Sequence, residues 1–219
     1  DSIESLDSVD SFEHNTMRAP LESLVPRPRR IESGAGALTL GEAGVIAVAG
    51  APDDLSPALR LLRHALGPGW QESGARASPP AGVSCIRLRL VPRADRPQSY
   101  RLCVTPAGVE AEAQDRAGLF YAAVTLAQLI GVSGGVLPAC EIEDAPDFEA
   151  RGVMLDISRD KVPTMDTLFG LVDMLAGLKV NQFQLYTEHT FAYRGHEAVW
   201  RDATPMTPEE IRELDAYCR

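Results

Sequence analysis

Two strand-like runs that end in charge bracket an amphipathic segment in the last third of the chain. Gly152–Ile157 is almost entirely apolar up to Asp156, and Ser158, Arg159 and Asp160 follow it. A continuous apolar run suits a strand buried on both faces, as in a parallel sheet. Pro163 blocks extension, and Thr164 can cap a helix over Met165–Lys179. Its apolar positions Met165, Leu168, Leu171, Val172, Leu175 and Leu178 lie on one face. Asn181–Phe191 (NQFQLYTEHTF) then supplies a second strand ending in Glu188 and His189. The pattern predicts a βαβ unit whose polar residues gather at the C-terminal ends of two parallel strands, the end where α/β folds bind ligands. Thr207-Pro208-Glu209-Glu210 opens a further helix, with Thr207 as cap, Pro208 first in the helix and Glu210 completing a capping box.

Upstream, shorter periods alternate. Ala37–Leu40 and Val45–Ala49 read as strands. Asp53–Leu66 has apolar positions Leu55, Ala58, Leu59, Leu62 and Leu66, one helical face, with Asp54 or Ser56 as cap and Gly67-Pro68-Gly69 as stop. Gln71–Gly82 is rich in Gly, Ser, Pro and Ala and reads as a loop. Val83–Val91 alternates as a strand. Ser99–Thr105, the turn Pro106-Ala107-Gly108 and Val109–Ala113 form a hairpin. Asp115–Ile130 is a helix with the face Leu119, Phe120, Ala123, Leu126, Ala127 and Ile130, capped by Asp115 and stopped by Gly131. Leu137–Phe148, with two prolines, reads as an extended connection. The organisation expected is a polar leader over 1–21, an α+β domain over 22–145 and a second domain from 146 to 219.

Composition narrows the function classes. The 219 residues are 45% hydrophobic, ordinary for a globular protein. The formal charge of −10 and a pI near 4.9 argue against a nucleic-acid partner, because phosphate binding needs clustered Lys and Arg. Arg27, Arg29 and Arg30 are too few to reverse that. No apolar run approaches the roughly 18 residues of a membrane span, so no membrane partner is expected. Cys85, Cys103, Cys140 and Cys218 show no C-x-x-C pair and no metal-ligand spacing with His. Cys85 and Cys103 sit in strand-like runs that suit buried free thiols. With no signal segment and no disulfide pattern, a cytoplasmic location is expected, without cofactor or metal.

The candidate chemistry clusters after the two C-terminal strands: Asp156, Arg159 and Asp160 after the first, Glu188 and His189 after the second. An always-charged Arg beside carboxylates can grip hydroxyls or orient an acid, and it can equally be a structural ion pair. Adjacent residues on an extended chain point opposite ways, so at most one of Glu188 and His189 faces a given pocket. Tyr186, Phe191, Tyr193 and Trp200 follow; aromatic faces suit sugar rings, and they suit a core as well. Lone His64, in the first helix, has no partner motif.

EDAPDFEARGVMLDISRD resembles the opening of the catalytic barrel of family 20 glycoside hydrolases, the β-N-acetylhexosaminidases. LVPRPRRIESGAGALTL and SYRLCVTPAGVEAEAQDRAGLFYAAVTLAQLI resemble the start and end of that family's accessory domain, a zincin-like α+β fold without the protease motif. The resemblance runs over residues 22–219. It implies that Arg159 binds hydroxyls of a terminal N-acetylhexosamine, with Asp156 in support. The position after Arg159, commonly His in the family, is Asp160. Where many members carry H-x-H-x-T-D-D-Q, this chain has Gln184-Leu185-Tyr186-Thr187-Glu188-His189-Thr190-Phe191.

The family retains configuration by substrate-assisted catalysis, in which the 2-acetamido oxygen attacks the anomeric carbon while an Asp orients it and a neighbouring Glu is the general acid/base. A (β/α)₈ barrel needs about 250 residues, and Arg151–Arg219 supplies two βα units. The resemblance therefore implies a truncated TIM barrel with the acid pair beyond Arg219, no catalytic residue in this chain, and an N-acetylhexosamine glycan as partner. Arg159, Asp156, Glu188 and His189 are the expected substrate-binding residues. The rival expectation is a non-catalytic carbohydrate-binding or interaction module.

Overall fold

Among the described residues, seven strands and two long helices follow one another before the chain divides, between Glu149 and Ala150, into its two units. The computed structural model describes residues 19–49, 55–74, 82–92, 96–159 and 161–219. In chain order the first unit contains β1 (Arg30–Thr39), β2 (Gly44–Ala49), α1 (Ser56–Leu66), β3 (Trp70–Gly74), β4 (Ser84–Leu90), β5 (Tyr100–Thr105), β6 (Gly108–Ala113), α2 (Arg116–Ser133) and β7 (Val136–Asp144). The strands form one mixed sheet in the order β1-β7-β5-β6-β4-β2-β3. Its β3, β2, β4 and β6 run parallel to their neighbours, while the β6-β5-β7-β1 side is antiparallel.

Strand alternation decides the two faces of this sheet. Ile86, Leu88, Leu102, Val104, Val109, Ala111 and Ile142 are buried in the core with α1 and α2. The intervening residues pair charges across the strands: Arg89 with its register partner Glu112 at 3.1 Å, Arg30 with its register partner Glu143 at 2.9 Å, and Arg101 diagonally with Glu141 at 2.8 Å. Each such exposed pair adds little stability, but together they keep the outer face soluble. Cys103 lies on this charged face and is half-buried, not buried as its apolar run implies. Cys85 and Cys140 are buried, and burial pushes the Cys140 thiol up to about 12.

The hairpin forms as expected, with Thr105 opposite Gly108. Asp115 caps α2, accepting a hydrogen bond from Gly118 N at 2.7 Å. Several expectations give way. The start of Gln71–Gly82, read as loop, belongs to edge strand β3 (Trp70–Gly74), held by a buried Trp70. Leu137–Phe148, read as a connection, contains β7, hydrogen-bonded to β1 and β5. The pairing of β5 with β7 stops at Cys140, so at Pro138 β7 has only β1 alongside, an edge-like place where proline is tolerated. Helix α2 runs through Gly131 and ends at Gly134, whose φ of 60° gives the left-handed cap. It is also buried almost all round, with Tyr121, Ala122, Val124, Thr125 and Leu129 buried besides the expected face. Among the described residues α2 is the one helix long and apolar enough to cross a membrane, and its place in the core accounts for that apolarity.

Helix α1 begins after Leu55 without a side-chain cap, and Ser56 is its first residue. Asp54 lies outside the described residues, as do Asp160 and most of the expected leader. The last part of that leader is not loose: residues 19–22 make a helical turn, and Leu21 is buried in the core.

The second unit contains β8 (Gly152–Asp156), α3 (Met165–Gly177), β9 (Gln182–Tyr186), the single turn α4 (Glu197–Trp200), and α5 (Pro208–Tyr217). Strands β8 and β9 pair in parallel, Gly152 with Gln182 through Asp156 with Tyr186. Thr164 caps α3, accepting from Thr167 N at 3.3 Å, and Thr207 and Glu210 form the capping box of α5. Ile157, Leu168, Met206 and Leu214 are the core, with Leu155, Phe183 and Leu185 against it. The expectation that Gly152–Ile157 is buried on both faces is corrected: Val153 and Met154 are exposed and Leu155 is half-buried. Strand β8 has only β9 beside it among the described residues, and α3 and α5 shield one side.

Candidate functional site

The polar ends of β8 and β9 meet. Asp156 and Tyr186 are register partners, and Ile157 N donates to Tyr186 O at 3.0 Å, carrying the ladder one residue past the strands. The chains then diverge into Ser158-Arg159 and Thr187-Glu188-His189, which stand side by side. Arg159 Nη2 reaches Glu188 Oε1 at 3.4 Å, and the Arg159 side chain is 72% exposed. Tyr186 Oη donates to the same Glu188 oxygen at 3.1 Å.

Asp156 does not join this ion pair. Its Oδ1 accepts from Ser158 N at 2.8 Å and from Ser158 Oγ at 2.6 Å, a local turn built within three residues. The Ser158 hydroxyl, then the Ser158 N–H, hold the Asp156 carboxyl below the usual carboxylate range, with Arg159 adding a smaller pull. A depressed value means that the folded state favours the Asp156 anion. The contribution is full above the ordinary Asp value of about 3.9 and is lost as pH falls through the folded value. Ser158→Ala is expected to move the Asp156 titration midpoint upward in side-chain carboxyl NMR. An unchanged midpoint would show that Ser158 is not what holds it down.

Tyr186 is shifted the other way: its hydrogen bond to the Glu188 carboxylate, then the charge of that carboxylate, raise the phenol above its ordinary value. Of the residues expected from sequence, Arg159 and Glu188 therefore come together, while Asp156 is bonded to Ser158 instead. His189 makes no hydrogen bond or ion pair among the described residues, consistent with adjacent residues pointing apart. The sequence marks Tyr186 as an aromatic, and its hydroxyl is what joins it to the cluster. The signal available was its two-residue spacing from Glu188.

The aromatics beyond β9 form a second group. Phe191 and Tyr193 meet edge to face with centroids 4.9 Å apart, and Trp200 Nε1 donates to Tyr193 O at 2.9 Å. Tyr193 Oη lies 3.4 Å from Thr187 Oγ1, so this group touches the loop that carries Glu188. Among the described residues no group of three or more His, Cys, Asp or Glu side chains could hold a metal ion.

Residues 22–145 match the family model described as glycosyl hydrolase family 20, domain 2. The chain belongs to glycosyl hydrolase family 20. The mixed sheet with its two helices is thus the domain-2 fold of that family. A β-N-acetylhexosaminidase of Cellulomonas fimi is 30% identical to the family-20 chain over 191 residues, covering 81% of it and 36% of the relative. The solved β-N-acetylhexosaminidase of Streptomyces coelicolor is similar in fold, with a TM-score of 0.72 at 23% identity over 91% of this chain and 44% of that one. So is an exo β-N-acetylglucosaminidase of Vibrio harveyi solved with N-acetylglucosamine, at a TM-score of 0.72 and 22% identity, over 90% of this chain and 34% of that one. The family-20 chain spans about a third of the curated relative and less than half of either solved chain.

Proposed function

We propose that this chain is part of a retaining glycoside hydrolase that removes terminal N-acetylhexosamine from glycans by substrate-assisted catalysis. Family membership supports the reaction class, and the names of the similar proteins support the sugar. In this reading residues 22–145 are the accessory domain, zincin-like without protease chemistry, and residues 146–219 begin a (β/α)₈ barrel. The acid pair comes from outside these 219 residues, in keeping with the share of the relatives that the chain spans. Glu188 does not take that role, because it follows the second barrel strand and is tied to Arg159 and Tyr186.

The observation that carries the reading is the Arg159–Glu188 pair at the C-terminal ends of two parallel strands, with most of the Arg159 side chain in solvent. A guanidinium has five N–H donors, and one contact to a carboxylate leaves the others for hydroxyl groups. Asp156, held as the anion, supports the loop that presents Arg159. Glu188 and His189 complete one wall of the sugar pocket.

The purified 219-residue chain is expected to bind N-acetylglucosamine weakly, with NMR shifts at Arg159 and Glu188 that disappear in Arg159→Ala. It is expected to release no chromophore from a chromogenic N-acetylglucosaminide. Shifts that persist in Arg159→Ala would remove Arg159 from the pocket, and turnover by the chain alone would place the acid pair within it.

A further inference from the structure

Glu188 differs from an ordinary surface partner of arginine in how its two oxygens are used. Oε1 takes both neighbours, the phenol of Tyr186 at 3.1 Å and Arg159 Nη2 at 3.4 Å. Oε2 makes no hydrogen bond among the described residues. An exposed Arg–Glu pair on flexible side chains is normally worth little and is not held in one geometry. Here the third group is stiff. Tyr186 is the last residue of β9, its backbone fixed by pairing with Asp156, and a tyrosine side chain has only two rotatable angles. Asp156, the strand-end anion three residues before Arg159, is engaged by Ser158 at Oδ1 and makes no ion pair with the guanidinium among the described residues. Among the described residues the orientation of Arg159 is thus left to Glu188, and that of Glu188 to Tyr186.

We propose that Tyr186 is a positioning residue: its hydroxyl pins Glu188 Oε1 so that Glu188 Oε2 and the outward N–H groups of Arg159 form an acceptor–donor pair for two adjacent sugar hydroxyls. The diol part rests on the sugar-pocket reading above; the positioning part stands without it. Chemically the pair suits a vicinal diol, since one hydroxyl donates to the carboxylate while its neighbour accepts from the guanidinium. A lone guanidinium would donate to either hydroxyl in either orientation, so the added acceptor selects for relative configuration. Tyr186 and Glu188 are two of the positions at which this segment departs from the common family pattern.

The test compares the 219-residue chain with Tyr186→Phe, which removes one exposed oxygen and leaves the ring. Nitrogen relaxation of the Arg159 guanidinium reads positioning directly. It is expected to show an ordered side chain in the parent and a mobile one in Tyr186→Phe, and equal mobility in both overturns the proposal. N-acetylglucosamine titrated into each reads the consequence, with binding expected to weaken roughly tenfold in Tyr186→Phe, as for loss of a hydrogen bond to a charged group. Equal binding by parent and variant also overturns it. Absence of binding by the parent removes the sugar-pocket reading and the diol with it, and the Arg159 mobility still decides the positioning.

Discussion

Leu126→Ala is expected to lower the unfolding free energy of the first unit by about 2–5 kcal/mol. Leu126 is 0% exposed, on α2, in the same core cluster as Leu102, Val109, Leu119 and Ile142. Truncation leaves a cavity among residues fixed by sheet hydrogen bonds on one side and a buried helix on the other, so little can collapse into it. Leu178→Ala is the control. Leu178 fits the predicted apolar face of α3 as well as Leu126 fits that of α2, yet it is 40% exposed. Its loss should stay within about 0.5 kcal/mol. Denaturant titration of the two variants, with intrinsic fluorescence of Trp70 and Trp200 reporting the two units, separates the cases. A loss of similar size at both positions would contradict the burial described.

Two glycines of the same helix are expected to respond in opposite directions. In an exposed helix, Gly→Ala stabilises by about 1 kcal/mol, because alanine loses less backbone entropy. Gly131 meets that condition, with nothing within reach of an added Cβ, and Gly131→Ala should gain about that much. Gly118 does not. A Cβ there would run into the carbonyl oxygen of Ser99 and press on Ala113 Cβ. The Ser99 carbonyl is backbone next to Tyr100, where β5 begins, so it cannot swing aside, and the first turn of α2 would have to lift off the sheet. Gly118→Ala is therefore expected to cost about 1–3 kcal/mol, the usual range for overpacking. Thermal unfolding of the two variants checks the signs, and stabilisation by Gly118→Ala would show that the helix sits further from β5 than described.

Much of the fold was legible where local chemistry acts on its own. Asp115, Thr164 and Thr207 were readable as caps because a cap needs only a short side chain three residues ahead of an orphan N–H. The Pro106-Ala107 turn was readable because it joins two alternating runs. The failures came where a distant neighbour overrules the local signal. β7 carries strand alternation, Cys140 and Ile142 inward and Glu141 and Glu143 outward, but prolines at both ends hid it. Pro138 is harmless only because β5 stops short of it. Gly131 looked like a helix stop, and the αL conformation that ends α2 falls three residues later, at Gly134. The all-round burial of α2 follows from its sheet and from α1, neither of which its own periodicity records.

The sequence by itself determined which residues stand at the ends of the two parallel strands: Asp156 and Arg159 after one, Glu188 and His189 after the other. Period-two alternation and strand ends are properties of a short stretch, and order along the chain cannot be lost in folding. Only the tertiary structure decided who bonds to whom. It gave Asp156 to Ser158, left His189 without a partner among the described residues, and brought Arg159 and Tyr186 onto one oxygen of Glu188. Those choices depend on the register of β8 against β9, which is set by the packing of Leu155, Ile157, Phe183 and Leu185 beneath them. A shift of one residue would turn each of these side chains to the other face and dissolve the cluster.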